Sequence, residues 1–503
     1  MTGTMSYKVD LSHIDRAGAV SITQQLVERF VGAIDSGELA SGEKLPPTRA
    51  LAAAAGVNHL TAARVYRKLA EDGYVTATVG RGTFVRTVVP AGVRSEGDDW
   101  QAYVLPERET SYQEEILSDA FRLARQEGMI SLATGFPSPR FHPTEELARH
   151  AAEAFAEVGQ DVIAYTNPEG LLELRERIAE GGLKRGFAER PEEIIVTSGG
   201  QQAIDVAVRA IVEPGDVVVV ESPTFVGTLA ALRSTGARVI GVPVDEGGLD
   251  VEALEQVLAR HEVKLCTLQP ACQNPTGNDL APERRARLTQ LAAERNFFVL
   301  EDGVYADLRY EGDRPKALRS DAPGHVVHVN SLSKVVGGGL RVGWIAARGP
   351  VLERMTTLKQ GADFHTSTLV QHMAARYLAT DAYAANIAAS LPYYRERRDV
   401  LLAALDKHLA GEVRAAVPRG GHHVWATLVR PIEERVLYAE AVRSGVSFTP
   451  GGAVTAERSH QTSFRLSFSL LEPEDLEEGV KRLARALREV RRRDRTTVAA
   501  PFS

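Results

Sequence analysis

Ser331-Leu332-Ser333-Lys334-Val335-Val336-Gly337-Gly338-Gly339-Leu340-Arg341 follows an apolar run, His325 to Val329, that reads as a buried strand. Most lysines are solvated and carry no chemistry. This one stands among two hydroxyls, three consecutive glycines and an arginine seven residues on. Hydroxyls, glycine amides and a guanidinium are groups that hold a phosphate. A lysine amine set among them points to a Schiff base with an aldehyde that also carries a phosphate. Pyridoxal 5'-phosphate is such an aldehyde. Read alone, the stretch is equally a basic loop. The decision rests on whether the other groups that hold this molecule occur elsewhere, in a sensible order.

With 503 residues, the chain predicts roughly two or three domains. A hydrophobic content of 44% and a charged content of 25% are those of a soluble globular protein. No apolar stretch reaches the length that spans a bilayer, and the polar start, Met1 to Leu11, lacks the apolar core of a secretory signal. A cytoplasmic protein without a membrane partner is therefore expected. Cys266 and Cys272 are the only cysteines; they make no disulfide framework, and their spacing matches no zinc motif. They read as ordinary thiols of a reducing compartment, and no metal site is expected. The net charge of -7 argues against bulk nucleic-acid binding but leaves room for a local basic patch.

From about Ser111 onward, helices alternate with short apolar strands, which predicts an α/β fold with a mostly parallel sheet. Helices are read at 169–179, 201–211 and 282–295, and strands at 194–196, 217–220, 238–242, 264–268, 297–300, 325–329 and 342–346. Ligands of such sheets bind at strand ends, so the polar residues there matter. Ser198-Gly199-Gly200-Gln201 opens a helix, whose amides can hold phosphate, although many helices begin with glycine. Ser222-Pro223-Thr224-Phe225 puts an aromatic ring just after a strand, where it either stacks on a flat ligand or fills the core. Gln273-Asn274-Pro275-Thr276-Gly277 is a turn with a free amide donor. In Glu301-Asp302-Gly303-Val304-Tyr305, the acid can pair with a protonated pyridine nitrogen and the phenol can donate to a ring oxygen.

This order and spacing closely resembles the fold-type I, class I/II aminotransferases over about residues 130–486. The resemblance implies a mostly parallel sheet with a small C-terminal α+β subdomain, and pyridoxal 5'-phosphate as cofactor. It implies that Lys334 is the Schiff-base lysine and proton shuttle, that Asp302 pairs with the ring nitrogen, and that Asn274 and Tyr305 hold the 3'-oxygen. It implies that Phe225 stacks on the ring and that Gly200, Gln201, Ser331, Ser333 and Arg341 surround the phosphate. Tyr165 matches a tyrosine that reaches the phosphate of a neighbouring subunit, which calls for a homodimer. Arg465, in Phe464-Arg465-Leu466-Ser467, matches the arginine that binds a substrate carboxylate, and Gly135-Phe136-Pro137 matches a loop over the site. Gly338 stands where many relatives carry proline.

The N-terminal segment reads differently. Ile22, Leu26, Phe30 and Ile34 recur at helical spacing behind Ser21, a fair N-cap. Thr48 is read as the cap of a short alanine-rich helix, Arg49 to Ala55. Gly56-Val57-Asn58 makes a turn, and a third helix runs from about His59 to Glu71, with Leu60, Ala63, Val65 and Leu69 as its apolar face. Strands are read at 74–78 and 82–87 around Gly80-Arg81-Gly82. Two helices across a glycine turn, followed by a hairpin, make a winged helix-turn-helix candidate. Between Ser41 and Arg86 seven bases face three acids, so this segment is basic inside an acidic chain and suited to phosphate backbones.

The same segment, through Leu45-Pro46-Pro47-Thr48-Arg49-Ala50-Leu51-Ala52 and Gly80-Arg81-Gly82-Thr83-Phe84-Val85, resembles the winged helix of GntR-type bacterial regulators. The resemblance implies that Arg49 contacts phosphate, that His59, Thr61 and Arg64 lie near the exposed start of the recognition helix, and that Arg81 marks the wing tip. The expected organisation is therefore a DNA-binding domain at 1–87, a polar linker at 88–110 with Trp100, Tyr103 and Leu105 as docking residues, an aminotransferase-like domain at 111–490 and a frayed basic tail at 491–503. The fusion resembles the MocR-type regulators. It implies a PLP-dependent transcriptional regulator that binds operator DNA as a homodimer and senses an amino acid or amine by aldimine exchange. The alternative is a working aminotransferase that converts an amino acid to a 2-oxo acid, with an aminoadipate- or aromatic-like stretch at 360–366.

Overall fold

A computed structural model gives the architecture of residues 9, 11, 14–16, 20–36, 38–39, 43–72, 74–78, 82–85 and 112–498. Arg81, Arg86 and the linker residues Trp100, Tyr103 and Leu105 lie outside these described residues. The chain divides into two compact units, Met1–Glu109 and Thr110–Ser503.

In the first unit, helices α1 (Ile22–Asp35), α2 (Thr48–Ala55) and α3 (His59–Glu71) precede a hairpin of β1 (Val75–Thr78) and β2 (Gly82–Val85). Ser21 caps α1 by accepting from the Gln24 amide. Thr48 does not cap α2 as expected: Pro47 holds that position without a side-chain bond, and Thr48 is the first helical residue. Proline's fixed φ suits the helix entrance, and its ring leaves the capping to the backbone. Gly56, in the left-handed conformation, ends α2, and the Asn58 side chain caps α3 on the Thr61 amide. The buried face of α3 is Ala62, Val65, Tyr66 and Leu69: Val65 and Leu69 are as expected, whereas Leu60 is 69% exposed and Ala63 half-buried. The true set keeps the i, i+3, i+4, i+7 phase, whereas Leu60 and Ala63 fall on the next stripe. These side chains close on Leu26, Phe30 and Leu51 in a core belonging to this unit alone.

The second unit is built on one large sheet. Its elements in order are α4 (Tyr112–Leu123), β3 (Ile130–Ser131), α5 (Thr144–Val158), α6 (Leu172–Arg185), β4 (Ile194–Thr197), α7 (Gly200–Ile211), β5 (Val217–Ser222), α8 (Val226–Arg233), β6 (Arg238–Asp245), β7 (Gly248–Leu249), α9 (Val251–Leu258), β8 (Val263–Leu268), α10 (Pro282–Arg295), β9 (Phe298–Asp302), β10 (Val326–Ser331) and β11 (Gly343–Ala346). There follow α11 (Pro350–Asp363), α12 (Thr368–Leu378), α13 (Ala382–Leu409), β12 (Val413–Ala415), β13 (His423–Leu428), α14 (Glu434–Arg443), β14 (Val446–Ser447), β15 (Thr449–Pro450), β16 (Ser463–Ser467) and α15 (Pro473–Val498). The sheet order is β4-β11-β10-β9-β8-β5-β6-β7. The neighbours from β10 to β6 pair in parallel, while β11 runs against both β10 and β4. Strands such as β5 are apolar until their last residues because both faces are covered, and β10 departs from this only at the buried His328. Those last residues, Ser222, Asp302 and Ser331, are where chemistry begins. Helix α6 starts at Leu172 rather than at 169, because Gly170 turns the chain at a positive φ first.

A second, four-stranded antiparallel sheet, β12-β13-β16-β15, belongs to the C-terminal subdomain. That subdomain is not purely C-terminal: β3 pairs in parallel with β14, and the Ser467 amide donates to the Leu132 carbonyl. The segment leading to Gly135 is thereby fixed against β14 and against the four-stranded sheet. The expected tail is largely helix, since α15 runs to Val498. Arg491 pairs with Glu412, and Arg493 with Glu440 and with Glu489 of its own helix, so acids from elsewhere in the fold and from the preceding turn hold the basic turn that the sequence read as frayed.

One position in the sheet permits a direct stability test. A Cβ at Gly343 would stand 2.6 Å from the Gly199 carbonyl carbon and 2.9 Å from the Asn330 oxygen, both backbone atoms. Gly343→Ala is expected to destabilise the protein by about 1–3 kcal/mol, as overpacking of a close-packed core does. Urea unfolding followed by circular dichroism measures it; an unchanged midpoint would refute the close approach.

Candidate functional site

The ends of β4, β5, β8, β9 and β10 surround a cavity of about 610 Å³ lined by Gly200, Gln201, Phe225, Asn274, Asp302, Tyr305, Ser331, Ser333, Lys334 and Arg341, with Phe121, Phe136 and Leu470. A second chamber shares Phe121, Phe136, Gln201, Phe225, Asn274, Tyr305 and Lys334, and adds Gly135, His423, Thr449 and Arg465. All the expected cofactor and substrate residues but one thus meet in one place. The exception is Tyr165, which is 87% exposed and packs edge-on against Phe364 and His365.

Lys334 sits in a single 3-10 turn directly after β10 and donates from Nζ to the Gly135 carbonyl at 2.9 Å. Burial, and then the Arg465 cation, lower its pKa to about 8, although Asp302 pulls the other way. Its amine is therefore far more often neutral at physiological pH than that of a surface lysine. Asp302, the last residue of β9, accepts from Gln269 Nε2 at 2.6 Å and from the Val304 amide at 3.1 Å. Burial pushes this carboxyl up despite those two bonds, and a cation set against it would reverse the push.

At the opposite rim, Ser331 Oγ accepts from the Ser333 amide, and Gly199 and Gly200 begin α7. Arg341, held in the left-handed region, donates to the Ser198 carbonyl at 2.8 Å and lies so close that a Cβ on Gly199 would meet its guanidinium at 2.5 Å. Two hydroxyls, helix N-terminal amides and a guanidinium form an anion cradle. The Gln201 amide is turned onto the Gly227 carbonyl at 2.9 Å and steadies α8 beneath Phe225.

Arg465, at the centre of β16, donates to the Ala133 carbonyl at 2.6 Å, to Thr449 Oγ1 at 3.0 Å and to Asn274 Oδ1 at 3.1 Å. All three are neutral acceptors, and its buried Nε has none. No carboxylate pairs with it among the described residues. Burial lowers its pKa to about 10, opposed by Tyr305. A buried guanidinium without an acid partner is costly unless an anion completes it.

Several groups were not foreseen from sequence. Gln269 links Asp302 to the Asn274 amide, which donates to its Oε1 at 2.8 Å. Glu221 accepts from the Gln269 amide and from Gln273 Nε2, and burial raises its pKa to about 8. His422 and His423 lie behind Tyr305. An acid inside the apolar strand Val217–Ser222 and two adjacent histidines after Gly420-Gly421 were the available signals. Helix α4 was also missed. It belongs to a small satellite cluster of Tyr112, Ile116 and Ala453, yet Phe121 lines the first chamber and Ile116, Leu117 and Ala120 the second.

In the first unit, Arg49, His59 and Arg64 are exposed and Thr61 is partly so, with Arg49 at the start of α2 and the others along the first turns of α3. Tyr66 donates to the Pro46 carbonyl at 2.7 Å, which fixes the segment preceding Arg49 against α3.

A family model described as aminotransferase class I and II matches residues 127–483, and the chain belongs to that family. A model of bacterial regulatory proteins, gntR family, matches residues 22–85, so the chain is a GntR-type regulator fused to an aminotransferase-like domain, as in the MocR regulators. It is 27% identical to the probable rhizopine catabolism regulatory protein MocR of Rhizobium meliloti over 94% of this chain and 95% of that one. It is 29% identical to the uncharacterized HTH-type transcriptional regulator YdcR of Escherichia coli over 93% and 99%. The 2-aminoadipate transaminase of Thermus thermophilus is 35% identical over 75% of this chain and 94% of its own. Among solved structures, the multiple substrate aminotransferase of Thermococcus profundus superposes with a TM-score of 0.73 at 30% identity, over 79% of this chain and all of that one. The family's cofactor is pyridoxal 5'-phosphate, and the acid, the lysine and the anion cradle around one cavity fit it. No helix among the described residues is long and apolar enough to cross a membrane.

Proposed function

We infer that the second unit binds an α-amino acid or amine effector in this cavity, and that occupancy governs binding of the winged helix to operator DNA. The observation that carries the reading is Arg465: a buried guanidinium with only neutral partners, in the same cavity as a lysine of lowered pKa. A carboxylate and an amine on one carbon suit that pair. Bound pyridoxal 5'-phosphate supplies an aldehyde carbon open to an amine and a ring that withdraws electrons. The chain's own groups supply the rest. The hydroxyls of Ser331 and Ser333, the amides of Gly200 and Gln201 and the Arg341 guanidinium hold a phosphate. Asp302 holds a ring cation, and Phe225 covers the ring face. Asn274 and Tyr305 orient a ring oxygen. Lys334, neutral in part near pH 7, takes up or delivers a proton at Nζ. The effector acts only through a difference in affinity between two arrangements of the protein.

A second reading, completed transamination, is favoured by the presence of every group that proton transfer needs. Tyr165, exposed beside Ile163 and Phe364, supports a homodimer in which a second copy covers that face.

The test is fluorescence anisotropy of the full chain on a DNA fragment from its own promoter, titrated with a panel of amino acids and amines. At least one compound is expected to change the affinity. Arg49→Ala and Arg64→Ala are expected to weaken DNA binding, and loss of a phosphate contact lowers the salt dependence by about one unit of slope. Binding unaffected by every amine, with 2-oxo acids formed from them, would leave the aminotransferase reading standing instead.

A further inference from the structure

His423 and Ser467 are directly opposed in the antiparallel pair of β13 and β16. His423 Nδ1 lies 2.9 Å from Ser467 Oγ, and Nε2 lies 3.0 Å from the Tyr305 hydroxyl. All three side chains are buried. The ring is wedged so tightly that a Cβ on Gly135 would meet its Cε1 at 2.1 Å. That same Gly135 carbonyl receives Lys334 Nζ and lies 3.3 Å from His422 Nδ1. Three groups around the reactive lysine are therefore registered by one histidine.

We propose that His423, braced by Ser467, is a positioning residue for Tyr305 that directs the phenol proton into the cavity. The inference rests on the reading that pyridoxal 5'-phosphate occupies that cavity. The charged and titratable groups facing the chain of bonds are Arg465 on β16, Lys334 after β10, Asp302 on β9, His422 just before β13, and Tyr310. Burial first, then the Arg465 cation and the repulsion that a charge on His422 or Lys334 would add, hold His423 far below its usual pKa, so the ring is neutral. A neutral imidazole has one donor nitrogen and one acceptor. If Nδ1 donates to Ser467, Nε2 must accept the Tyr305 proton, and the phenol offers only lone pairs to a ligand. If Ser467 donates to Nδ1, Nε2–H donates to the phenol oxygen, and the phenol proton is free to be given to a ring oxygen. The second arrangement satisfies every partner once an acceptor stands in the cavity, and a hydrogen bond received by the phenol strengthens the one it donates. A bond received from Nε2 works against the burial that raises the Tyr305 pKa.

The experiment is a pH titration of the near-ultraviolet to visible absorbance band of the protein loaded with pyridoxal 5'-phosphate. The variants are His423→Phe, His423→Gln, Ser467→Ala, Tyr305→Phe and the Tyr305→Phe/His423→Phe pair. His423→Phe is expected to raise the midpoint by about one pH unit, the worth of one hydrogen bond. His423→Gln, which can still donate to the phenol, recovers part of it, and Ser467→Ala gives a smaller rise. Tyr305→Phe raises the midpoint at least as far, and adding His423→Phe to it changes nothing more. An unmoved midpoint in His423→Phe, or an equal rise on the Tyr305→Phe background, overturns the assignment while leaving the cofactor reading intact. No band at all in the wild-type protein overturns both. If His423→Phe does not fold, His423→Gln and Ser467→Ala on the two Tyr305 backgrounds carry the same comparison.

Discussion

Lys334→Ala removes covalent capture of pyridoxal 5'-phosphate altogether. Wild-type protein mixed with the aldehyde and reduced with borohydride is expected to carry one pyridoxyl group on the peptide containing Lys334, and the variant none there. The basis is selective acidity. Burial and Arg465 lower the pKa of this amine to about 8, whereas a solvated lysine stays near 10.4, so at pH 7 its neutral fraction is larger by roughly two orders of magnitude. The rate of capture should climb with pH and level off above about pH 8. The sign follows from the shift: below its pKa the amine is protonated and unreactive, and above it the neutral form is already complete. The variant loses one hydrogen bond to Gly135 and also a poorly solvated cation, so its stability should change by no more than about 1 kcal/mol. Mass spectrometry of the reduced protein decides the matter. Label spread over surface lysines in both proteins, or retained in the variant, would remove Lys334 from its role.

Arg465→Ala is expected to abolish the response to amino acids while sparing that to simple amines. A carboxylate paired with a buried guanidinium is worth about 2–5 kcal/mol when one partner is truncated, which is roughly 30- to several-thousand-fold in affinity. Asn274, Ala133 and Thr449 lose a donor in the variant, but each is neutral, and an uncompensated buried cation is lost with them. Folding should therefore survive. The discriminating measurement compares an amino acid with its decarboxylated amine on both proteins by isothermal calorimetry. Equal losses for the two ligands would mean that Arg465 supports the cavity wall without reading a carboxylate.

Lys334 was legible in the chain because its meaning is local, whereas Arg465 took its role only from the resemblance to the aminotransferases. Lys334 announces itself through Ser331, Ser333, the glycine run and Arg341, all within one turn and one loop. Asp302 ends an apolar run, and Asn274 sits in the turn Gln273-Asn274-Pro275-Thr276-Gly277, whose character is plain. The order of strands beneath them follows from alternation with helices, and the winged helix from two helices, a turn and a hairpin. What escaped was relational. His423 acquires its role from Tyr305 and Ser467, far away in sequence, and Gln269 from Asp302. Gln269 has no local pattern that sets it apart from a satisfied core residue, and the paired histidines after Gly420-Gly421 mark a place without naming its partners. The misreading of α3 is different: Leu60 is apolar and periodic with Val65 only loosely, and the choice between two adjacent stripes needs the neighbour that one of them faces. The C-terminal arginines looked unattended because Glu412 and Glu440 lie on other elements.

The pairing of β3 with β14 bears on how the chain is made. Ser131 and Ser447 touch through their hydroxyls across 316 positions, and Gly135, against which Lys334 and His422 are set, lies in the loop that leaves β3. During synthesis the early strand must wait for nearly the whole of the second unit to leave the ribosome before its partner exists. The winged helix, whose core among the described residues draws on nothing after Val85, meets no such delay. The growing chain therefore completes its DNA-binding head long before its sensory cavity, and a chain cut short before residue 446 would keep the first and lack the second.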